Sequence, residues 1–503
     1  MGGFFGVVSK GDCLSDLFYG TDYHSHLGNI RGGMLTFGHA GMRRIIHDIS
    51  NEPFRSKFEE ELHEFYGATS GIGCISDTGD QPVVIHSHLG TFAAVMVGAI
   101  TNLEEIKKEA FRDPNTHFSE VLQEDVNPNE VIASIIASGK DIPDGIRKMH
   151  DHVHGGSCSM LLINRDGLYA IRDAMGRTPL VIGRKEDSYA AALEPCSLLN
   201  LNYEIVKELG PGEAVFLTPT KCKQVIPPRK TMKMCTFFWV YYGFPASTYE
   251  GQNVELVRYR CGKALAEADK KAHWKADVDA VAGVPDSGVG HALGYAQASK
   301  IPYSRPFMKY TPTWARSFIP RNQAHRAHVA SMKLLPIEEL IRGKNLLFCD
   351  DSIVRGTQLG NTFGRLSQRG VKDVHVRLAC PPILFNCKYI NFSRSNGLHG
   401  LAARRAIARV EGHTPFASSA EEDAWLNNVD ITDYLNPKTE KYRRMVEEIR
   451  KEQNLSSLRF QTLDDLVKAI GVPKEMLCTY CWDGKDCCGC AKCKHSNKKG
   501  GRS

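Results

Sequence analysis

Residues 345–357, NLLFCDDSIVRGT, decide how the C-terminal half of this chain folds. The apolar run LLFC has the length and composition of a buried strand, and the polar stretch after it leads into a helix-prone sequence, TQLGNTFGRLSQRG. A second apolar run, VKDVHVRLA, follows that helix. Upstream, ADVDAVAGV leads in the same way into GVGHALGYAQASK. This alternation of strand, loop and helix predicts βαβ units and a parallel sheet.

The loop in this stretch has the composition of a phosphate-binding site. Backbone N–H groups and the positive end of the helix dipole converge there, which favours an anion. Gly356 permits close backbone approach, while Ser352 and Thr357 offer hydroxyl donors. The adjacent carboxylates of Asp350 and Asp351 suit sugar hydroxyls and a hydrated Mg²⁺. An acidic pair at a strand end is often only a helix cap, but here acids, hydroxyls and glycine occur together.

Length and composition indicate a globular protein of two or three domains. The 503 residues exceed one core, and 42% hydrophobic and 24% charged residues are ordinary for a soluble protein. The chain lacks a long apolar run and a secretion signal, and Gly6 stands where N-myristoylation needs Ser or Thr. We therefore expect a cytoplasmic protein without a membrane partner. The basic tail KCKHSNKKGGR could touch nucleic acid, but a solvated chain end is the preferred interpretation.

The first 225 residues read mostly as short strands, which predicts an antiparallel, sheet-rich α+β domain ending near Pro227-Pro228. A hairpin is predicted at Arg165-Asp166-Gly167. Helices are predicted over NEVIASIIASG and in the stretch ahead of TFAAVMVG. The end of the chain is predicted to be helical over DAWLNNVDITDYL, KYRRMVEEIRKEQ and LDDLVKAIG.

Cysteine usage points to metal. Of sixteen cysteines, four crowd together just after a CxxC pair: Cys487, Cys488, Cys490 and Cys493. In a chain without a secretion signal, that density favours metal over disulfides. These four could bind Zn²⁺ or deliver metal, or they could belong to a disordered tail, which is the interpretation we prefer.

Around the phosphate loop the chain resembles the amidophosphoribosyltransferase family, which uses glutamine and phosphoribosyl pyrophosphate (PRPP). DGLYAIRDAMGRTPLVIGR and ELGPGEAVFLT are similar to characteristic stretches of that family. The resemblance implies an α+β four-layer sandwich of the Ntn, class II amidotransferase type over residues 1–228. It further implies an α/β type I phosphoribosyltransferase domain over 229–455 and a helical, Cys-rich segment over 456–503. The implied reaction is PRPP plus ammonia to 5-phosphoribosylamine and pyrophosphate, the first step of de novo purine synthesis.

The resemblance also assigns the residues around PRPP. The PRPP loop comprises Asp350, Asp351, Ser352, Ile353, Val354, Arg355, Gly356 and Thr357, and the pyrophosphate loop contains Pro285, Asp286 and Ser287. By the same resemblance, Ser287, Asp350 and Asp351 surround Mg²⁺. KYTPTWARSFIPRNQ is similar to the loop that closes over PRPP, with Lys309 and Arg316 as its catalytic cations, although the spacing between them is one residue longer than usual.

Some members of the family hold a 4Fe–4S cluster, and Cys235, Cys387, Cys478 and Cys481 match its four ligand positions. Thiolates are soft donors that suit iron–sulfur chemistry. A CxxC pair alone would equally suit zinc or thiol exchange. The role implied for the cluster is structural.

The glutaminase chemistry of the family is expected to be impaired in this chain. The family's N-terminal nucleophilic Cys is matched by Gly2, and its oxyanion-hole Asn-Gly by Val97 and Gly98. The acid that orients glutamine is matched by Pro128, and GIGCISDTGDQP lacks the carboxylate-binding Arg. Cys13 and Cys74 are interpreted as ordinary buried thiols.

Three functions stay open at this stage: ammonia-dependent amidophosphoribosyl transfer, phosphoribosyl transfer to another acceptor, and PRPP or nucleotide sensing without turnover. The ammonia source is expected to be free ammonia or a separate glutaminase. By resemblance we also expect a homo-oligomer and inhibition by purine nucleotides.

Overall fold

A computed structural model describes residues 2–38, 41–77, 79–114, 116–122, 125–309, 334–390 and 397–485.

The N-terminal part of the chain is built on two antiparallel sheets. Its strands are β1 (Gly2–Ser9), β2 (Arg31–Gly38), β3 (Gly41–Asp48), β4 (Ala68–Ser76), β5 (Val83–Ser87), β6 (Gly90–Ala99), β7 (Val121–Leu122), β8 (Asp125–Val126), β9 (Ser157–Asn164), β10 (Gly167–Ile171), β11 (Val181–Lys185), β12 (Ser188–Ala192), β13 (Glu204–Glu208), β14 (Ala214–Thr218) and β15 (Lys221–Ile226). Its helices are α1 (Leu14–Asp22), α2 (Phe54–Phe58), α3 (Leu103–Ala110), α4 (Pro128–Ala137), α5 (Ile142–His152) and α6 (Pro195–Asn200). One sheet has the order β13-β11-β12-β1-β4-β2-β3 and the other β15-β14-β10-β9-β6-β5, while β7 and β8 pair as a separate hairpin.

The two sheets stack face to face with helices outside them. Successive side chains of a strand point to opposite faces of its sheet, so one set packs against the other sheet and the next set packs against helices. In β1, Phe4 and Val8 belong to the buried cluster shared with β9 and β10, whereas Phe5 and Val7 belong to the cluster covered by α1 and α2. On the outer face of the second sheet, α4 and α5 bury residues such as Ile132. The predicted four-layer sandwich is confirmed.

Two of the three local predictions in this part are confirmed and one is wrong. The hairpin joins β9 to β10 with Gly167 opposite Asn164, and α4 occupies the predicted helix. The stretch ahead of TFAAVMVG is strand β5, not a helix. Its sequence VVIHS is rich in β-branched residues, and pairing with β6 over five positions satisfies its backbone groups.

The C-terminal part of the chain contains a parallel sheet. The strands of this part of the chain are β16 (Met234–Cys235), β17 (Thr248–Tyr249), β18 (Gln252–Asn253), β19 (Ala280–Gly283), β20 (Phe307–Lys309), β21 (Leu334–Pro336), β22 (Asn345–Asp350), β23 (Asp373–Leu378), β24 (Ser457–Phe460) and β25 (Leu477–Cys478). Its helices are α7 (Val254–Lys271), α8 (Val289–Ser299), α9 (Thr357–Ser367), α10 (Ala402–Val410), α11 (Ser419–Asn428), α12 (Glu440–Glu452), α13 (Leu463–Ile470) and α14 (Tyr480–Asp483). β19, β22, β23 and β24 form the sheet in that order, all parallel.

Helices cover both faces of this sheet. Leu347 and Cys349 of β22 pack with residues of α7 and α8, while Leu346 and Phe348 pack with residues of α9, α10 and α12. The predicted α/β architecture is therefore confirmed. The expected boundary at residue 455 differs from the structure, since β24 lies beyond it and forms the fourth strand of the sheet.

The end of the chain returns to the junction of the two parts. α13 buries Leu466 and Ile470 in the same cluster as Val254 and Val257 of α7. β25 then pairs in parallel with β16. The helices predicted over KYRRMVEEIRKEQ and LDDLVKAIG are confirmed, whereas the α-helix in DAWLNNVDITDYL ends at Asn428 and a short 3₁₀ helix follows at Thr432–Leu435. Among the helices that the structure describes, none is long and apolar enough to cross a membrane.

Candidate active site

The phosphate loop lies at the carboxyl end of the inner strand β22. The strand ends at Asp350 and α9 begins at Thr357, so residues 351–356 connect them above the sheet. Gly356 has a φ of +82°, a left-handed conformation that costs other L-residues about 1–2 kcal/mol. A Cβ atom there would also lie 2.6 Å from Gln453 Nε2. The turn into α9 therefore requires glycine.

Asp350 and Asp351 are both buried, each 6% exposed, and their side chains interact directly. The Asp351 backbone N–H donates to Asp350 Oδ1 at 2.9 Å, and Ser352 Oγ donates to Asp351 Oδ2 at 2.5 Å. Burial, followed by the neighbouring Asp351 charge, raises the pKa of Asp350 well above its usual range. Burial also raises the pKa of Asp351. Two dehydrated carboxylates side by side call for a cation.

The residues present fit Mg²⁺. This ion keeps several waters and takes one or two carboxylates together with substrate phosphates, so two acids and a hydroxyl suffice. That requirement agrees with another finding: in the described part of the chain, no group of three or more His, Cys, Asp or Glu side chains is arranged around a single ion position.

The pyrophosphate loop stands directly beside the acids. Ser287 Oγ donates to Asp350 Oδ1 at 3.1 Å, and the Val284 N–H donates to Cys349 O at 3.0 Å. The Lys309 Nζ and Asp286 Oδ2 atoms are 2.6 Å apart. Their side chains are 59% and 67% exposed, so this ion pair contributes little stability and leaves the lysine able to reorient. Arg316 lies outside the described residues.

Arg258 is a charged residue of the site that the sequence analysis missed. It is 4% exposed, and its guanidinium donates to the carbonyls of Trp239, Tyr241 and Gly243 at 3.0–3.3 Å. Its charge lowers the pKa of Asp351, although burial dominates there. The sequence contained a signal for this residue, because Arg258 stands next to Val257 on the apolar face of α7, where a charged side chain is unusual.

Four cysteines from separate segments line one buried cavity. They are Cys235, Cys387, Cys478 and Cys481. The pairing of β16 with β25 places Cys235 opposite Cys478, and the carbonyl of Cys481 accepts the N–H groups of Leu384 and Phe385. All four thiols are less than 10% exposed. A hydrogen bond with Cys387, burial and the charges of the other three raise the pKa of Cys481 well above its usual range.

The chemistry of this cavity fits a 4Fe–4S cluster. Four soft donors converge, and aromatic rings such as Phe237 and Trp482 exclude water from them. In such a cluster, each of the four thiolates would bind a different iron. Cys487, Cys488, Cys490 and Cys493 lie outside the described residues.

The positions expected for glutaminase chemistry lie on two strands of the sandwich and at the start of helix α4. A Cβ atom at Gly2, the first residue of β1, would be 2.3 Å from the Ile75 carbonyl oxygen. Val97 is buried in β6, and a Cβ at Gly98 would be 2.0 Å from the Ser157 carbonyl oxygen. Pro128 opens α4.

Neither alternative cysteine is poised as a nucleophile. Cys13 lies beyond Ser9, the last residue of β1. At about 3.3 Å per residue, Ser9 is about 23 Å along the strand from Gly2. Its thiol donates to Ala68 O at 3.2 Å, and burial raises its pKa to about 12. Cys74 is 1% exposed in β4, and burial raises its pKa as well. Both stay protonated near neutral pH.

The chain is similar to known glutamine amidotransferases and amidophosphoribosyltransferases. The model of a glutamine amidotransferase domain family matches residues 70–200. An amidophosphoribosyltransferase of Synechocystis sp. is 30% identical over 421 residues, which cover 81% of this chain and 83% of that protein. One of Methanothermobacter thermautotrophicus is 28% identical over 501 residues, covering 96% and 93%. The solved glutamine PRPP amidotransferase of B. subtilis, complexed with ADP and GMP, matches with a TM-score of 0.76 and 24% identity. This match covers 96% of this chain and 97% of the B. subtilis chain, and it confirms the fold.

Proposed function

The chain belongs to the amidophosphoribosyltransferase family, and we propose on that premise that it makes 5-phosphoribosylamine from PRPP and ammonia, the entry step of purine synthesis. In this reaction the bond from C1 to the pyrophosphate oxygen breaks and a C1–N bond forms. Pyrophosphate leaves with the electron pair, and the surplus proton of ammonia passes to solvent.

The observation that carries the proposal is the pair Asp350 and Asp351 beside Ser287, at the end of an inner parallel strand. These three residues would hold Mg²⁺, which supplies positive charge to the departing pyrophosphate. The amides of the loop, with Ser352 and Thr357, would bind the 5-phosphate at the start of α9. Lys309 and Arg316 would close over the pyrophosphate and exclude water.

We propose that ammonia enters free or from a separate glutaminase. The eight residues of β1, GGFFGVVS, contain no cysteine, and Val97 offers no side-chain donor where the family has an amide. The thiols of Cys13 and Cys74 are both buried and protonated, and Cys13 also lies far from Gly2. Together these features support a sandwich retained without glutaminase chemistry.

We also propose that Cys235, Cys387, Cys478 and Cys481 hold a structural 4Fe–4S cluster that ties the end of the chain to the junction of the two parts. Ligation energy would then contribute directly to folding. A homo-oligomer, inhibition by purine nucleotides and a cytoplasmic location complete the proposal. The ADP and GMP in the B. subtilis structure support the nucleotide part, since they show a protein of this fold binding them.

The test is phosphoribosylamine formation with PRPP and Mg²⁺ and either ammonium or glutamine. We expect product with ammonium and none with glutamine. Asp350→Asn should abolish the activity. Asp464→Asn, at a carboxylate that is 78% exposed, should leave it unchanged.

Each other outcome overturns part of the proposal. Glutamine-dependent turnover would show that the glutaminase works. Pyrophosphate release with a nucleobase but not with ammonium would assign a different acceptor. PRPP binding without any release would assign a sensor.

A further inference from the structure

One side of the phosphate loop is bound by helix α10, which lies far from it in the sequence. At the start of this helix, the Ala402 backbone N–H donates to Val354 O at 2.9 Å. Further along the helix, Arg405 Nη2 donates to Arg355 O at 2.8 Å, across a separation of 50 residues in the chain. Two successive carbonyl groups of the loop are therefore held by α10.

These two hydrogen bonds determine the direction of the amides in the loop. The peptide bonds concerned are trans, and in a planar trans peptide the C=O and N–H groups point in opposite directions. The carbonyls of Val354 and Arg355 point toward α10, so the N–H groups of the same two peptides point away from it. Those N–H groups belong to Arg355 and Gly356. The hydrogen bonds to α10 thus direct the N–H donors to the opposite side of the loop.

Arg405 is itself fixed by several partners. Its Nη1 donates to His399 O at 3.1 Å and to Gly400 O at 3.2 Å. Its Nη2 also donates to Glu452 Oε1 at 2.9 Å, at the end of α12. The side chains of Arg405 and Glu452 are 26% and 27% exposed, so this ion pair is partly shielded from water. The planar guanidinium has five N–H donors in a rigid arrangement and can bind these four acceptors together, whereas the ammonium of lysine has three.

Arg409 lies on the same helix and carries the same charge, but it binds elsewhere. Its Nη2 lies 2.6 Å from Glu452 Oε2, and its Nε lies 3.5 Å from Glu448 Oε2. Its side chain is 29% exposed, close to the value for Arg405. Among the described residues, its guanidinium makes no hydrogen bond to the phosphate loop. Arg409 is therefore a matched control that separates the loop contact from charge and from the pairing with Glu452.

We propose that Arg405 is a positioning residue for the 5-phosphate end of the substrate. By holding the Arg355 carbonyl, its guanidinium keeps the Gly356 N–H directed at the phosphate. Arg405 acts through the loop and does not touch the substrate. The inference rests on the proposed PRPP site, and it goes beyond that site by assigning the orientation of its amides to a residue of α10. Removing Arg405 should weaken ligands that carry a 5-phosphate and leave pyrophosphate binding unchanged.

The experiment compares the native full-length protein with Arg405→Met, Arg405→Lys and Arg409→Met. Calorimetric titration with PRPP and Mg²⁺ gives the Kd, and displacement of bound PRPP by ribose 5-phosphate or by pyrophosphate measures the two ends of the site separately. Arg405→Met should weaken PRPP and ribose 5-phosphate by about 10-fold, the size expected for losing a hydrogen bond from a charged donor. Pyrophosphate affinity should change by less than about 2-fold.

The other two variants and the kinetics test the mechanism. Arg405→Lys should lose less affinity than Arg405→Met, because an ammonium can still donate to the Arg355 carbonyl. Arg409→Met should change each affinity by less than about 2-fold. In the reaction with ammonium, Arg405→Met should raise the KM for PRPP by the same factor as the Kd and leave kcat within about 2-fold, since the loop binds the 5-phosphate equally before and during the reaction.

The remaining outcomes overturn the inference in distinguishable ways. Equal losses for ribose 5-phosphate and pyrophosphate in Arg405→Met would show that the residue only supports the fold. Equal losses in Arg405→Met and Arg409→Met would assign the effect to Glu452, and unchanged affinities in Arg405→Met would remove the role altogether. Bound PRPP that ribose 5-phosphate does not displace would show that the 5-phosphate is not a separate anchor. A native protein that binds no PRPP would overturn the proposed function itself, together with this inference.

Discussion

Replacing Asp351 by asparagine is expected to stabilise the metal-free protein while removing its activity. In the native chain two buried carboxylates adjoin, and the pKa of each is raised, so ionising them in the folded state costs free energy. Asparagine has nearly the same shape, and its amide can donate to Asp350 instead of repelling it. The substitution therefore removes a repulsion without leaving a cavity.

Coulomb's law sets the scale of this repulsion. Two unit charges at a nominal separation of about 4 Å repel by about 4 kcal/mol at an effective dielectric constant of about 20. The attraction of Arg258 and the hydrogen bond from Ser352 offset part of this repulsion. We expect a net gain of about 1–3 kcal/mol, which raises Tm by about 1 °C for each kcal/mol, because a chain of 503 residues has a large entropy of unfolding.

The pH dependence has a definite sign. A carboxyl with a raised folded pKa binds more protons in the folded than in the unfolded state, so stability falls as pH rises above the unfolded value of 3.8. The advantage of Asp351→Asn should therefore be largest at pH 8 and shrink as the pH is lowered toward 5. Thermal unfolding in chelator across this range measures it.

Ligand binding separates stability from function. Mg²⁺ with PRPP should raise the Tm of the native protein and not that of the variant, whose activity should fall by more than about 100-fold. Asp464→Asn should change stability by less than about 0.5 kcal/mol. A destabilised but active Asp351→Asn protein would refute the reasoning, since the carboxylate would then be only a helix cap.

Three further predictions concern the cysteine site, the turn and the buried cation. Cys481→Ser should lose bound iron, measured by colorimetric assay, and should lower the Tm of the protein. Cys158→Ser changes a buried thiol outside the cavity of the four cysteines and should retain the full iron content; equal iron in both variants would contradict the ligand assignment. Gly356→Ala should raise the KM for PRPP and lower the free energy of unfolding by about 1–2 kcal/mol, because φ is +82° at this position. Gly364→Ala, where a Cβ atom on α9 would meet open space, should raise the free energy of unfolding by about 0.5–1 kcal/mol; the reverse order would refute the turn argument. Arg258→Met should weaken PRPP binding, measured by titration, more than Arg258→Lys does, because lysine keeps a positive charge facing Asp351. Equal losses of affinity in the two variants would show that only the hydrogen bonds of Arg258 to the three carbonyls matter.

Much of the fold was predictable because its signals are local. The strand, loop and helix around Asp350 lie within a few turns of chain, and the period of apolar residues specifies each element. The hairpin at Gly167 is equally local. The prediction for Val83–Ser87 was wrong for the converse reason, because that segment is a strand through its pairing with β6. Pairing partners are not visible in a short window of sequence.

The cysteine site shows the same division. The CxxC spacing of Cys478 and Cys481 is a local signal for a metal or redox site. Cys235 and Cys387 joined them only through the resemblance to a family, and the structure brings all four to one cavity by pairing β16 with β25. Distant ligands converge only when whole elements pack.

Glu194 illustrates what no local pattern contained. It is fully buried between the two parts of the chain, where Ser247 and Tyr249 donate to it at 2.5 and 2.6 Å and His26 Nε2 lies at 3.0 Å. Burial alone would raise its pKa, but these hydrogen bonds outweigh burial and lower it. The apolar run around Glu194 suggests burial, but nothing in it names the distant partners His26, Ser247 and Tyr249.

The sequence by itself determined the order of elements, the phosphate loop and the family to which the chain belongs. Those depend on residues close together along the chain, whose chemistry and periodicity act over short distances. Only the tertiary structure decided which charges are buried together: Asp350 against Asp351 with Arg258 behind them, and Glu194 at the junction. Burial and desolvation arise from the packing of distant segments, and they set the pKa values of the site.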